Sequence, residues 1–261
     1  MVKEIPGILA EIVAQKRIEL ARADIVETGL DECSAALIAG RRDFEAALRT
    51  HEPAIIAEIK KASPSRGVLA EHFDPAGTAL AYEKGGAAAL SVLTDERFFQ
   101  GSLRHLLDAR VAVALPVLRK DFTIERYHVL EAASHGADAI LLIAAILSER
   151  DLRDLREFAA SFHMTALVEV HDEEELERAV ASGASVIGVN NRDLRTFEVN
   201  LEVSFRLAPH MPNGTLMVAE SGIRTSEDVR ALRAAGYRGF LVGEHLMTAA
   251  DPAAALRALL A

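Results

Sequence analysis

The chain has 261 residues, half of them hydrophobic, with few aromatics, no Trp, and a formal charge of −10 from 29 basic and 39 acidic residues. Such a composition supplies a large core of helices packed on strands, and the length suits an α/β barrel built as one domain. An acidic balance without a basic block interleaved with aromatics argues against nucleic acid as a partner, although a few local cations can still hold an anionic small molecule. The lone Cys33 excludes an internal disulfide framework and suits a reducing cytosol.

The N-terminal segment MVKEIPGILAEIVAQKRIEL is not read as a targeting sequence, because Glu11, Gln15, Lys16 and Arg17 break its apolar run. Ile5, Ile8, Leu9 and Ile12 fall at helical spacing instead, which predicts an amphipathic helix. Residues 1–48 precede the first strand signal and are too few for a core of their own, so they read as an N-terminal helical extension of a single domain spanning 1–261. Ala139–Leu147, the longest apolar run, is about half of what spans a bilayer. No membrane span is expected.

From Ala54 onward the chain repeats. In KGGAAALSVL, HGADAILLI, SGASVIGV and AGYRGFLVG a Gly ends a helical pattern and a β-rich run follows, the signature of a left-handed helix cap leading into a parallel strand. These glycines, Gly86, Gly136, Gly183 and Gly236, lie 50, 47 and 53 residues apart, with one further strand-like run between each pair: LPVLRKD, MTALVEV and GTLMVAES. With AIIAEIK as the first strand, the 208 residues from Ala54 hold eight βα units, which predicts a TIM (β/α)8 barrel. The competing doubly wound sheet lacks a G-x-G-x-x-G after any strand. Helices are expected over DPAGTALAYEKG, SLRHLLDA, ERYHVLEAASHG, SERDLRDLREFAASF, DEEELERAVASG, LEVSFRLAPH, TSEDVRALRAAG and ADPAAALRALL, several opened by Ser, Thr or Asp caps.

In a barrel the active site lies at the C-terminal ends of the strands. Glu58 and Lys60 close the first strand two residues apart and so face the same way; Lys120 closes the third, Glu169 the fifth, Asn190 the sixth, and Glu220 followed by Ser221 the seventh. The second strand adds Asp95 in its loop, and the fourth ends in alanines. A single such charge could snorkel to the surface, but repetition across strands reads as chemistry. Arg119 and Asp121 point opposite to Lys120 and read as packing between strand and helices. The loop KASPSRG adds Ser63 and Ser65, while Gly222 and Gly243 follow strands seven and eight, where backbone N–H groups can approach a phosphate. The nine His show no metal-binding pair, and no G-x-S-x-G marks a Ser hydrolase. A Schiff-base aldolase using Lys60 or Lys120, and a non-catalytic phosphate-binding barrel, remain as alternatives at this point.

With those residues in view, the chain resembles the indole-3-glycerol-phosphate synthases of tryptophan biosynthesis. ILAEIVAQKRIEL, AEIKKASPSRG, SVLTDERFFQGS, LRKDF, ALVEVHDEEEL, IGVNNRDLRTFEVN, VAESGI and LVGEHLM occur in the family's order along nearly the whole chain. His245 departs from the pattern, standing where a smaller residue is expected at the phosphate mouth. The resemblance implies a cytoplasmic carboxy-lyase without cofactor or metal, acting on 1-(2-carboxyphenylamino)-1-deoxyribulose 5-phosphate, an anionic small molecule. It implies Lys120 as general acid for ring closure, with Glu169 and Lys60 handling the protons of dehydration. Glu58 and Glu220 would orient the lysines and the ring nitrogen, and Ser221 joins this catalytic set. Asn190 would hold a substrate hydroxyl or the leaving hydroxyl, Arg192 the anthranilate carboxylate, and Ser63, Gly222, Gly243 and Glu244, the last through its backbone, the phosphate. Phe99 and Phe122 would form aromatic walls, and the N-terminal extension would cover the mouth as a lid.

Overall fold

The computed structural model describes residues 7–23, 27–70 and 72–261. Eight strands close into a parallel barrel: β1 (Ala54–Ile59), β2 (Ala89–Leu93), β3 (Val117–Lys120), β4 (Ala139–Ile143), β5 (Thr165–Val170), β6 (Val186–Asn190), β7 (Leu216–Glu220) and β8 (Gly239–Val242). Each pairs with its sequence neighbours, and β8 closes on β1 through Ala54 opposite Gly239. The expected helices follow the strands. Asp74, Ser102, Ser148, Asp172, Thr225 and Asp251 each accept a hydrogen bond from a first-turn backbone N–H of the helix they open. Gly86, Gly136, Gly183 and Gly236 all have positive φ, the backbone state that lets a helix end and the next strand begin within a few residues.

Strand alternation divides the apolar residues into two cores. Ile55, Ala57 and Ile59 of β1 pack outward with Met217 and Ala219 of β7 against the helical ring. Ala54, Ile56, Leu118, Leu141, Leu167, Val186, Val218 and Leu241 fill the barrel interior. Extending these inner rows one step toward the C-terminal end reaches Glu58, Lys120, Ile143, Glu169, Gly188, Glu220 and Gly243, and a second step on β6 reaches Asn190. The polar residues at the mouth are therefore the last members of the inward-facing set.

Among the described residues the N-terminal extension forms three α-helices, and one of them covers the mouth. Ile5 lies outside the described residues. Helix α1 (Gly7–Arg22) lies over the C-terminal end, burying Leu9, Ile12 and Val13, a gain of about 1.5–3 kcal/mol per side chain. Helix α2 (Glu27–Leu37) packs on the helix Arg126–Ser134, with Ser34 donating to the Leu130 carbonyl at 3.2 Å. Helix α3 (Phe44–Thr50) sits at the opposite end, where fully buried Phe44 and Leu48 plug the interior beside Ala54, Ala139 and Leu216. Arg41 and Arg42 bind the carbonyls of Ala133, Ala137, Phe162, Arg110 and Leu115 around that lower rim. The expectation that residues 1–48 form one lid is thus corrected: α3 is the barrel's floor.

Candidate active site

Three carboxylates and two ammonium groups converge inside the mouth. Lys60 Nζ donates to Glu58 Oε1 at 2.5 Å. Lys120 Nζ donates to Glu169 Oε2 at 2.7 Å and lies 3.3 Å from Glu220 Oε2. Asn190 Nδ2 donates to Glu169 Oε1 at 3.2 Å. Register explains the grouping, since Glu169 stands opposite Gly188 and Glu220 opposite Asn190 on adjoining strands.

Burial sets the charge states. It pulls the Lys120 ammonium down, but the carboxylates of Glu169, Glu220 and Glu58 outweigh it and hold the group above its ordinary range. Burial pushes the Glu169 carboxyl up, and Lys120 with His171 overcomes that and keeps it ionised. Glu220 goes the other way: burial, aided by the charge of Glu169, outweighs Lys120 and raises it. One carboxylate of the pair is firmly charged while its neighbour takes a proton more readily, the arrangement that separates acid from base roles.

Space for these groups comes from glycine. A Cβ on Gly188 would run into the Glu220 carboxylate, and one on Gly243 into that of Glu58. Ser221 holds a φ of 65°, a state costing a non-glycine residue about 1–3 kcal/mol. Asn191 Nδ2 steadies it by donating to the carbonyls of Glu220 and Ser221 at 2.9 and 3.2 Å.

A cavity of about 190 Å³ opens onto this cluster, with polar groups on one side and Ile8, Leu9 and Ile12 of α1 among its apolar walls. Of the residues singled out from sequence, Glu58, Lys60, Ser63, Phe99, Lys120, Phe122, Glu169, Asn190, Arg192, Glu220, Ser221, Gly243 and Glu244 line it. Gly222 does not. At φ +85° it packs where a Cβ would meet Val199 and Leu201, so the turn after β7 requires glycine at this position. His245 is half-buried and is not among the residues that line the cavity. Phe99 and Phe122 face each other with ring centroids 6.1 Å apart. Arg192 donates to the Phe197 carbonyl at 3.1 Å, and Glu244 binds Arg66 at 2.5 Å.

Two neighbours of the site, Lys16 and His171, carried no site role in the sequence. Asp121 packs between strand and helices as expected and also lines the cavity. It accepts from Thr94 at 2.5 Å and Arg119 at 3.1 Å, and pairs with Lys16 of α1 at 3.0 Å. Lys16 also reaches Asp95 at 2.9 Å and is buried. A Lys between polar neighbours on a helix gives no sign in sequence of two acidic partners nearly eighty and more than a hundred residues away. The other is His171, beside Glu169.

A family model for indole-3-glycerol phosphate synthase matches residues 9–259. The chain belongs to the indole-3-glycerol phosphate synthase family. It is therefore a carboxy-lyase of tryptophan biosynthesis, converting 1-(2-carboxyphenylamino)-1-deoxyribulose 5-phosphate to indole-3-glycerol phosphate, carbon dioxide and water. The indole-3-glycerol phosphate synthase of Roseiflexus sp. (strain RS-1) is 51% identical over 262 residues, covering 97% of both chains. That of Acidithiobacillus ferrooxidans is 51% identical over 258 residues, covering 97% of this chain and 98% of its own. Solved structures share the fold at low identity. Thiamine phosphate pyrophosphorylase from Pyrococcus furiosus has a TM-score of 0.61 at 17% identity, covering 80% of this chain and 94% of its own. KGPDC from Streptococcus mutans has a TM-score of 0.62 at 13% identity, covering 80% and 96%. Membership in the synthase family sets aside the aldolase and the non-catalytic barrel.

Proposed function

We propose that Lys120 is the general acid of the synthase reaction. Ring closure forms a carbon–carbon bond between the anthranilate ring and the ribulose carbonyl carbon, and the carbonyl oxygen must gain a proton as it does so. Lys120 carries that proton into a largely enclosed pocket, kept charged by the three carboxylates around it. Carbon dioxide then leaves, and Glu169 with Lys60 moves the protons that accompany loss of water. Glu58 orients Lys60 through their 2.5 Å contact, and Glu220 orients Lys120. Ser221 continues the catalytic edge of β7. Asn190 holds the substrate hydroxyl, and Arg192 the carboxylate that is lost. Phe99 and Phe122 flank the aromatic ring. Ser63, Gly222, Gly243 and Glu244, the last through its backbone, receive the phosphate. What the side chains supply at each of these bond changes is a proton or a place for one, and the sequence calls for no metal or cofactor.

The observation that carries this reading is Lys120 between Glu169 and Glu220 at the head of the barrel interior. The wider setting is a single domain that uses its N-terminal extension, acts in the cytoplasm, and serves neither nucleic acid nor membrane. It is supported by the charge of −10 and the lone Cys33. Among the described residues no helix is long and apolar enough to cross a membrane.

Lys120→Ala tests the assignment. General acid catalysis contributes about 10²–10⁴-fold, so kcat/KM should fall by that factor while far-UV circular dichroism is unchanged at the assay temperature. Retention of more than about a tenth of wild-type kcat/KM would remove Lys120 from the acid role.

A further inference from the structure

We propose that His171 is a positioning residue for the reaction: clamped by Glu175, its ring presents Nε2 to Glu169 and fixes the charge and direction of that carboxylate from the side away from Lys120. The inference rests on the assignment of Glu169 as a proton-transferring group.

The geometry is specific. His171 follows β5 by one residue, and its backbone N–H donates to Glu175 Oε2 at 2.8 Å while Nδ1 lies 3.0 Å from the same oxygen. Glu175 belongs to the helix Glu173–Ala181, so the ring is held by the element that follows the strand. Nε2 then lies 3.4 Å from Glu169 Oε1, at ion-pair distance and without hydrogen-bond geometry. Glu169 is thereby gripped at both oxygens: Oε2 by Lys120, Oε1 by Asn190 and His171.

The side chain is 14% exposed, so an imidazolium here must be matched by nearby anions. Glu169 and Glu175 provide them. Asp193, from the loop after β6, also feels the His171 charge. The ring lines a second cavity in which the carboxylates Asp172, Asp193 and Glu198 stand with the guanidinium groups of Arg192, Arg195 and Arg206. Burial works against the charged ring, but the two bracketing glutamates outweigh it and lift its pKa to about 10. Because the folded value is raised, His171 keeps its proton, and its effect on Glu169, until pH climbs through that raised value.

A cation this close to a carboxylate lowers the latter's pKa by about 1–3 units. Replacing it with a neutral group should therefore make Glu169 harder to ionise. In His171→Gln kcat should fall about tenfold with KM within about twofold of wild type, because Glu169 is misdirected and not lost. The same coupling is readable from the other side: in Glu169→Gln the ¹⁵N-labelled His171 ring should titrate about one pH unit or more below its wild-type value by nuclear magnetic resonance. A purely structural role would lower the melting temperature of His171→Gln and leave both kcat and the ring titration in place. His171→Asn serves as the second variant should the first fold poorly. In the wild-type protein the ring should stay protonated up to pH 8. An unchanged kcat in either soluble variant, a ring titration unmoved in Glu169→Gln, or a wild-type ring already neutral at pH 7 would overturn the proposal. Full activity in Glu169→Gln would sink the role of Glu169 itself, whereas its inactivity alongside an unmoved ring titration would sink only the inference.

Discussion

Glu220 is buried with one carboxylate oxygen, Oε1, lacking a hydrogen-bond partner. Its position near Lys120 serves the reaction, and its raised pKa means that ionising it costs stability. The sign follows from linkage. A carboxyl whose folded pKa lies above its ordinary 4.5 contributes stability that is present below 4.5 and lost as pH rises through the folded value. Glu220→Gln removes that loss. We expect the variant to melt above wild type at pH 8, with the difference shrinking as pH falls toward 4.5, while kcat drops. A gain of about 1 kcal/mol would read as about 2–4 °C in a chain of this size. Thermal melts across that range check it, and a variant that melts lower at every pH would show that the contact with Lys120 dominates.

At the level of elements, the strand ends were the legible part of the site. Lys and Glu inside otherwise apolar strands have no ordinary place in a core, so Glu58, Lys120, Glu169 and Glu220 stood out by type and by two-residue periodicity. The helices were legible through their caps and closing glycines. Gly188 was not, because its need for a missing side chain arises on the neighbouring strand, where Glu220 leans across it. We expect Gly188→Ala to leave the barrel closed and to displace that carboxylate, lowering kcat by about 10²-fold, as an ångström of misplacement does. Overpacking should cost about 1–3 kcal/mol in stability. A double-mutant cycle with Glu220→Ala checks the cause: the stability cost of Gly188→Ala should largely vanish once the carboxylate is gone. An unchanged cost would assign the clash to Leu167 on β5, whose Cδ1 lies 3.2 Å from the added carbon.

For the whole molecule, the extension joins the two ends of the barrel and does different work at each. Sequence showed an amphipathic helix but not where its apolar face would land, and Phe44 and Leu48 carry no mark distinguishing a floor from a lid. Residues 41–50 close the lower end, so a deletion through residue 48 would open the inner core to water and should fail to fold. Removing only the segment through residue 23 leaves α2 and α3 in place and takes away Ile8, Leu9 and Ile12 from the cavity wall, together with Lys16. Lys16 ties the lid to Asp95, which caps the helix Glu96–Phe99, and to Asp121, which follows Lys120. Burial pulls its ammonium down, but Asp121 and Asp95 outweigh that and hold it charged. Losing one partner of such a buried set costs about 3–5 kcal/mol. The shortened chain should therefore fold with a lower melting temperature, a raised KM and a reduced kcat, since water enters and the loops bearing Phe99 and Phe122 lose their anchor. Lys16→Met isolates the anchor: its apolar stem still packs, so a KM shift shared with the deletion would place the coupling in the ion pairs. Unchanged kcat and KM in the shortened chain, with only the melting temperature lowered, would make α1 a packing element and nothing more.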